Sequence, residues 1–133
     1  MEVTLVYYFD TTNPKNHGSF VSDFISASDE ALKAGDRKSR TQLKRLWLDY
    51  LAVTLPAKSV DQLMVYLATR NLWKTDGDWK VYKTANCPCV AYTAQMNSDD
   101  SVTLIALGAV YSYPKGGDQA WWVKKIRPRV RGL

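Results

Sequence analysis

Cations outnumber acids in this chain of 133 residues, 18 to 13, for a formal charge of +5. Two groups of them have spacings that suit contact with phosphate. Arg37, Lys38, Arg40, Lys44 and Arg45 crowd one short stretch. On a helix, positions 37, 40, 41, 44 and 45 share a face, so the group forms a solvated band that serves either solubility or binding. The cations also fall where a helix dipole opposes them, a small penalty that a purely solubilising surface more often avoids. The second group, Lys124, Lys125, Arg127, Arg129 and Arg131, closes the chain. Pro128 opposes a long helix there. The three arginines therefore read either as an extended arm with alternate side chains pointing the same way or as a frayed charged tail.

Aromatic rings accompany this charge. Trp73, Trp79, Tyr82, Tyr111, Tyr113, Trp121 and Trp122 are interleaved with Lys74, Lys80, Lys83, Lys115 and Lys124. Rings that stack on bases beside cations that contact phosphates are how proteins hold single-stranded RNA. Five tryptophans in a small domain also serve a core. Trp121 and Trp122 are the pair expected to be exposed, because adjacent residues of a strand cannot both face one core.

Other chemistries find little support. No metal cluster, phosphate-cradling loop, dinucleotide fingerprint or nucleophile elbow is present, so neither a metal nor a cofactor is expected. The one histidine, His17, stands in a Gly/Asn/Pro loop and reads as a surface residue. The pairs Asp76/Asp78 and Asp99/Asp100 lie in turns, where Asp makes local hydrogen bonds. Cys87 and Cys89, separated by Pro88, read as reduced thiols, since so small a disulfide ring is strained.

The elements that must hold these groups follow from periodicity. Glu2 to Phe9 alternates as a half-buried strand. Ser19 caps a first helix whose apolar face is expected to hold Phe20, Val21, Phe24, Ile25, Ala31 and Leu32, and Gly35 ends it. Ser39 and Gln42 make a capping box for a second helix with the stripe Leu43, Leu46, Trp47, Tyr50 and Leu51. Ser59 and Gln62 do the same for a third, to about Arg70. Strands follow at Trp79 to Thr84, Val90 to Gln95 and Val102 to Leu107, with a hairpin turn in M-N-S-D-D-S. Gly108 bends or bulges the chain before Ala109 to Tyr113. Residues 118–127 are compatible with strand or helix. The expected fold is α+β, an antiparallel sheet of four to five strands with about three helices packed on one face.

Length and composition suit a single globular domain, 46% apolar and 23% charged. Residues 1–34 carry two cations against five acids and the remainder sixteen against eight, an asymmetry that points to an anionic partner. The chain opens without a basic start and apolar block, and its longest charge-free run, residues 84–98, is interrupted by Asn86, Pro88, Gln95 and Asn97. A cytoplasmic protein with no membrane partner is the expectation.

The lead D-G-D-W-K-V-Y-K, the strand V-A-Y-T-A, the turn N-S-D-D and the strand T-L-I-A-L-G-A-V-Y together resemble the RelE/ParE superfamily of bacterial toxins, which are small basic β-α-α-β-β-β domains. The resemblance covers residues 72–113. It implies a toxin of a toxin–antitoxin pair, either a metal-independent endoribonuclease that cuts mRNA on the ribosome or, in the other branch, a gyrase poison, with an antitoxin protein as partner. By position it assigns catalysis to Lys80, Lys83, Arg70, Tyr111 and Tyr113. The strands at 90–95 and 102–107 carry no Lys or Arg, unlike active members. The alternative reading is a basic binding protein without catalysis, such as a phage-encoded inhibitor of a host nucleic-acid or nucleoprotein machine.

Overall fold

The computed structural model describes residues 3–10, 19–44 and 72–133. Five strands, β1 (Val3–Tyr7), β2 (Leu72–Asp76), β3 (Trp79–Lys83), β4 (Cys89–Met96) and β5 (Val102–Val110), form one sheet in the order β1-β5-β4-β3-β2. Helix α1 spans Phe20–Ala34, residues 37–44 are helical (α2), and helices α3 (Gly117–Trp121) and α4 (Arg127–Arg131) flank a π-helical turn, Trp122–Ile126. The third helix expected at residues 59–70, and the end of the second, lie outside the described residues. No helix among the described residues is long and apolar enough to cross a membrane.

The sheet is mixed rather than wholly antiparallel. Strands β2 to β5 pair antiparallel through short turns, whereas β1 runs parallel to β5, from Val3 beside Val102 to Tyr7 beside Ala106. Sequential strands on a tight turn must reverse, but no turn joins β1 to β5. β2 was absent from the sequence expectation, although Asp76-Gly77-Asp78 carries its signal: Gly77 takes φ 59° in the loop that pairs β2 with β3. The β4–β5 turn falls where expected, with Asp100 at φ 64° and the Asn97 N–H donating to Ser101 O.

The helices occupy both faces of the sheet, which corrects the one-face expectation. Val90, Tyr92, Val102, Leu104 and Ala106 pack on Phe20 and Phe24 of α1. The alternate residues Val81, Cys89, Ala91, Ile105 and Leu107 pack on Trp121, Trp122, Ile126 and Val130. Both alternating sets along β4 and β5 are apolar, so neither face is left for water.

Trp121 and Trp122 are 2% and 5% exposed, contrary to expectation. The premise of a strand fails here. On a helix, neighbours diverge by about 100°, and both indoles reach the same sheet. Nor do the arginines form an extended arm. Pro128 sits in the first turn of α4, where a missing N–H costs little, and the chain stays helical to Arg131.

A bulge in β5 brings the two helical layers together. Ala91 pairs with Gly108 and Tyr92 with Ala106, leaving Leu107 as the extra residue. A Cβ on Gly108 would lie 2.8 Å from Ile126 Cδ1 and 3.1 Å from both Arg129 Nη1 and Asp23 Oδ2. Gly108→Ala is therefore expected to cost about 1–3 kcal/mol by overpacking. Urea denaturation measures it, and an unchanged midpoint would mean that the neighbours yield freely.

Candidate functional site

The band at residues 37–44 is built by two helix ends. Gly35 closes α1 in the left-handed conformation, its N–H bonded to Leu32 O. Asp36, not Ser39, then caps α2: its carboxylate accepts the Lys38 N–H at 2.8 Å and the Ser39 hydroxyl at 3.0 Å. The Ser39 hydroxyl and then the Lys38 N–H hold the Asp36 carboxyl below its ordinary range. This fixed anion offsets the unfavourable dipole end on which the cations sit. Ser39 is turned inward, and its Oγ accepts the Tyr111 hydroxyl at 3.2 Å. Leu43 is buried with Ala27 and Ala31.

Those anchors leave Arg37, Lys38, Arg40 and Lys44 exposed, and no ion pair among the described residues engages them. Arg45 lies outside the described residues, as does His17.

The C-terminal cations do not form one free band: Arg129 is buried, and Lys125 and Arg131 form ion pairs while remaining exposed. Arg129 is 5% exposed; its Nη1 lies 2.7 Å from Asp23 Oδ2 and donates also to Leu107 O, and the guanidinium lies over the Tyr8 ring. Lys125 Nζ is 3.0 Å from Asp23 Oδ1, and Arg131 Nε is 3.2 Å from Asp76 Oδ2. Lys124 is exposed and Arg127 half-buried. Sequence reasoning missed Asp23, although an acid on the buried stripe of Phe20, Ala27 and Ala31 signals an internal cation.

Of the residues to which the family resemblance assigns catalysis, Lys83 and Tyr113 come together. The Lys83 ammonium donates to Tyr113 Oη at 2.6 Å. It lies between the rings of Trp73 and Tyr113, at 5.1 and 5.0 Å from their centroids. The Asp118 carboxylate, 3.8 Å away, accepts the Trp73 indole N–H at 3.0 Å. Lys83 is 8% exposed, so these contacts consume most of its reach. Burial, and next the neighbouring Cys89, raise the Tyr113 phenol above its ordinary range, so at neutral pH it keeps its proton.

The remaining candidates are dispersed. Lys80 is exposed and, three residues from Lys83 along β3, belongs to the opposite face. Tyr111 bonds Ser39 beside α2, away from the Lys83 group. Arg70 lies outside the described residues. Among the described residues, no three His, Cys, Asp or Glu side chains converge as metal ligands. Of the two residues that complete the lysine's surroundings, Trp73 stands in the sequence among the aromatics interleaved with lysines, and Asp118 carries no distinguishing signal.

Neither family models, nor curated proteins, nor solved structures give a match to this chain.

Burial pushes the Cys89 thiol up to about 12, while Cys87 is half-exposed. A thiol reagent at neutral pH is expected to modify Cys87 in the native protein and Cys89 only after unfolding. Rapid reaction of both in the folded state would contradict the burial of β4.

Proposed function

We propose that the protein is a binding protein without catalysis, which engages an anionic surface of a nucleic-acid or nucleoprotein machine through Arg37, Lys38, Arg40 and Lys44. The observation that carries this reading is the contrast between the two basic groups. The α2 band is capped by its own carboxylate yet presents four exposed cations, whereas three of the five C-terminal cations are paired with Asp23 or Asp76. A prepositioned set of cations that forms no ion pair among the described residues raises the local concentration of anions and speeds encounter. A cytoplasmic location, where such machines work, accords with this reading.

The toxin reading stands second, favoured by the Lys83–Tyr113 hydrogen bond at 2.6 Å. A ribonuclease of that kind needs cations and proton-transfer groups around one phosphate, and Lys80 and Tyr111 are elsewhere. Incubation with labelled single-stranded RNA and with translating ribosomes separates the readings. Intact RNA, retained equally by wild type and by Lys83→Met, is the expected result; cleavage that Lys83→Met or Tyr113→Phe abolishes would establish the enzyme instead.

A further inference from the structure

Helix α1 has two apolar sides. Phe20, Ala27 and Ala31 are buried toward the sheet and α2. A second row, Val21, Ile25, Ser28 and Leu32, follows the i, i+4, i+7, i+11 spacing of a neighbouring flank. In that row Val21, Ile25 and Leu32 are 48%, 55% and 57% exposed. Single exposed apolar side chains are ordinary, but this flank holds a row of them, with Asp29 on the border away from α2.

The row leads into a cleft of 240 Å³ between the two helices. Phe24, Ala31, Leu32 and Leu43 line it, with Arg40 and Lys44 on the α2 side. Arg37 and Lys38 extend the charge along α2. Glu30 faces a different cavity, beside Asp23 and Lys125. The result is an apolar floor with a positive wall along one side.

We propose that this flank and cleft bind an acidic amphipathic helical segment of a partner protein. The cleft is smaller than the roughly 300–1,000 Å³ of small-molecule sites, so it takes one or two aliphatic side chains from a larger partner. A helix laid on the flank presents anchors at the same i, i+4, i+7 spacing, and its flanking carboxylates meet the wall of cations. On this flank, as distinct from the α2 cations alone, nucleic acid fits less well, because bases stack on rings and the row is aliphatic. The inference rests on the proposed binding role and names the class of its anionic partner.

A random peptide library of about four helical turns, displayed on phage and selected against the full chain, tests this. Enriched peptides are expected to carry an excess of Asp and Glu with apolar residues at i, i+4 and i+7. Their affinity should fall at least about tenfold in Ile25→Asp/Leu32→Asp, the effect of one lost apolar anchor, and about two- to thirtyfold in Arg40→Gln/Lys44→Gln, the effect of two lost exposed ion pairs. Both variants should melt within about 3 °C of wild type, as surface substitutions do. Enrichment without acidic residues, or equal binding to Ile25→Asp/Leu32→Asp, overturns the inference. So does a large loss of melting temperature in that variant, which would mean that the chain itself covers the flank. If acidic peptides fail while a single-stranded oligonucleotide still binds the α2 band, this inference falls and the binding role survives. If neither binds, both fall.

Discussion

Asp23→Ala is expected to cost about 3–5 kcal/mol, the penalty for leaving a buried charge without its partner. Arg129 is 5% exposed, and its guanidinium bonds both Asp23 oxygens, at 2.7 and 3.4 Å. Removing the carboxylate strands a cation beneath α1 and β5, with the Leu107 carbonyl as its remaining acceptor among these contacts. Lys125 loses the same partner, but it is exposed and a pair of that kind contributes up to about 1 kcal/mol. In a domain of this size the melting temperature should fall by roughly 10–25 °C. Asp23→Leu combined with Arg129→Met removes both charges and should recover much of the loss, since apolar pairs of similar volume often replace buried ion pairs without penalty. If Asp23→Ala unfolds within about 1 kcal/mol of wild type, the pair is solvated and does not join α1 to the C-terminal helix.

The sequence showed what nearest neighbours decide. Ser19 and Gly35 bound α1 because a cap and a left-handed stop act within one turn. The β4–β5 turn and the bulge at Gly108 were legible because Asn, Asp and Gly carry their own backbone preferences. What failed depends on distant contacts. β1 runs parallel to β5 because nothing local sets its direction. Trp121 and Trp122 are compatible with strand or helix until the apolar face of Val81, Ile105 and Leu107 selects a helix that buries both. Ser39 looked like the cap because Gln42 follows three residues later, yet the Asp36 carboxylate, three residues earlier, takes the Lys38 N–H and the Ser39 hydroxyl itself.

The candidate site divides along the same line. The α2 band was visible because its cations are neighbours on one helical face. The C-terminal group looked equivalent, and Asp23, more than a hundred positions away in sequence, neutralises part of it. Lys83 and Tyr113 are separated by 30 positions; their meeting follows from how the chain leaves β5 beneath α3, which periodicity does not report.

Neutralising the band should have the largest effect on binding. Four cations that contact a single-stranded polyanion contribute a slope of about −0.7 each to log affinity against log salt. Arg37→Gln/Lys38→Gln/Arg40→Gln/Lys44→Gln should therefore flatten the dependence by almost 3 units. The wild-type band alone accounts for roughly a 50-fold loss of affinity between about 50 and 200 mM salt, which the variant should lack. Stability should hardly change, because these side chains are exposed and Asp36 still caps α2. Lys124→Gln/Arg127→Gln serves as the comparison, with a flattening of at most about 1.4 units.

The most direct measurement is fluorescence anisotropy of a labelled single-stranded oligonucleotide, titrated at several salt concentrations with wild type and both variants. The band variant is predicted to lose most of the slope and the C-terminal variant to keep most of it. An undiminished slope in the band variant, or a slope lost through Lys124 and Arg127 instead, would contradict the account.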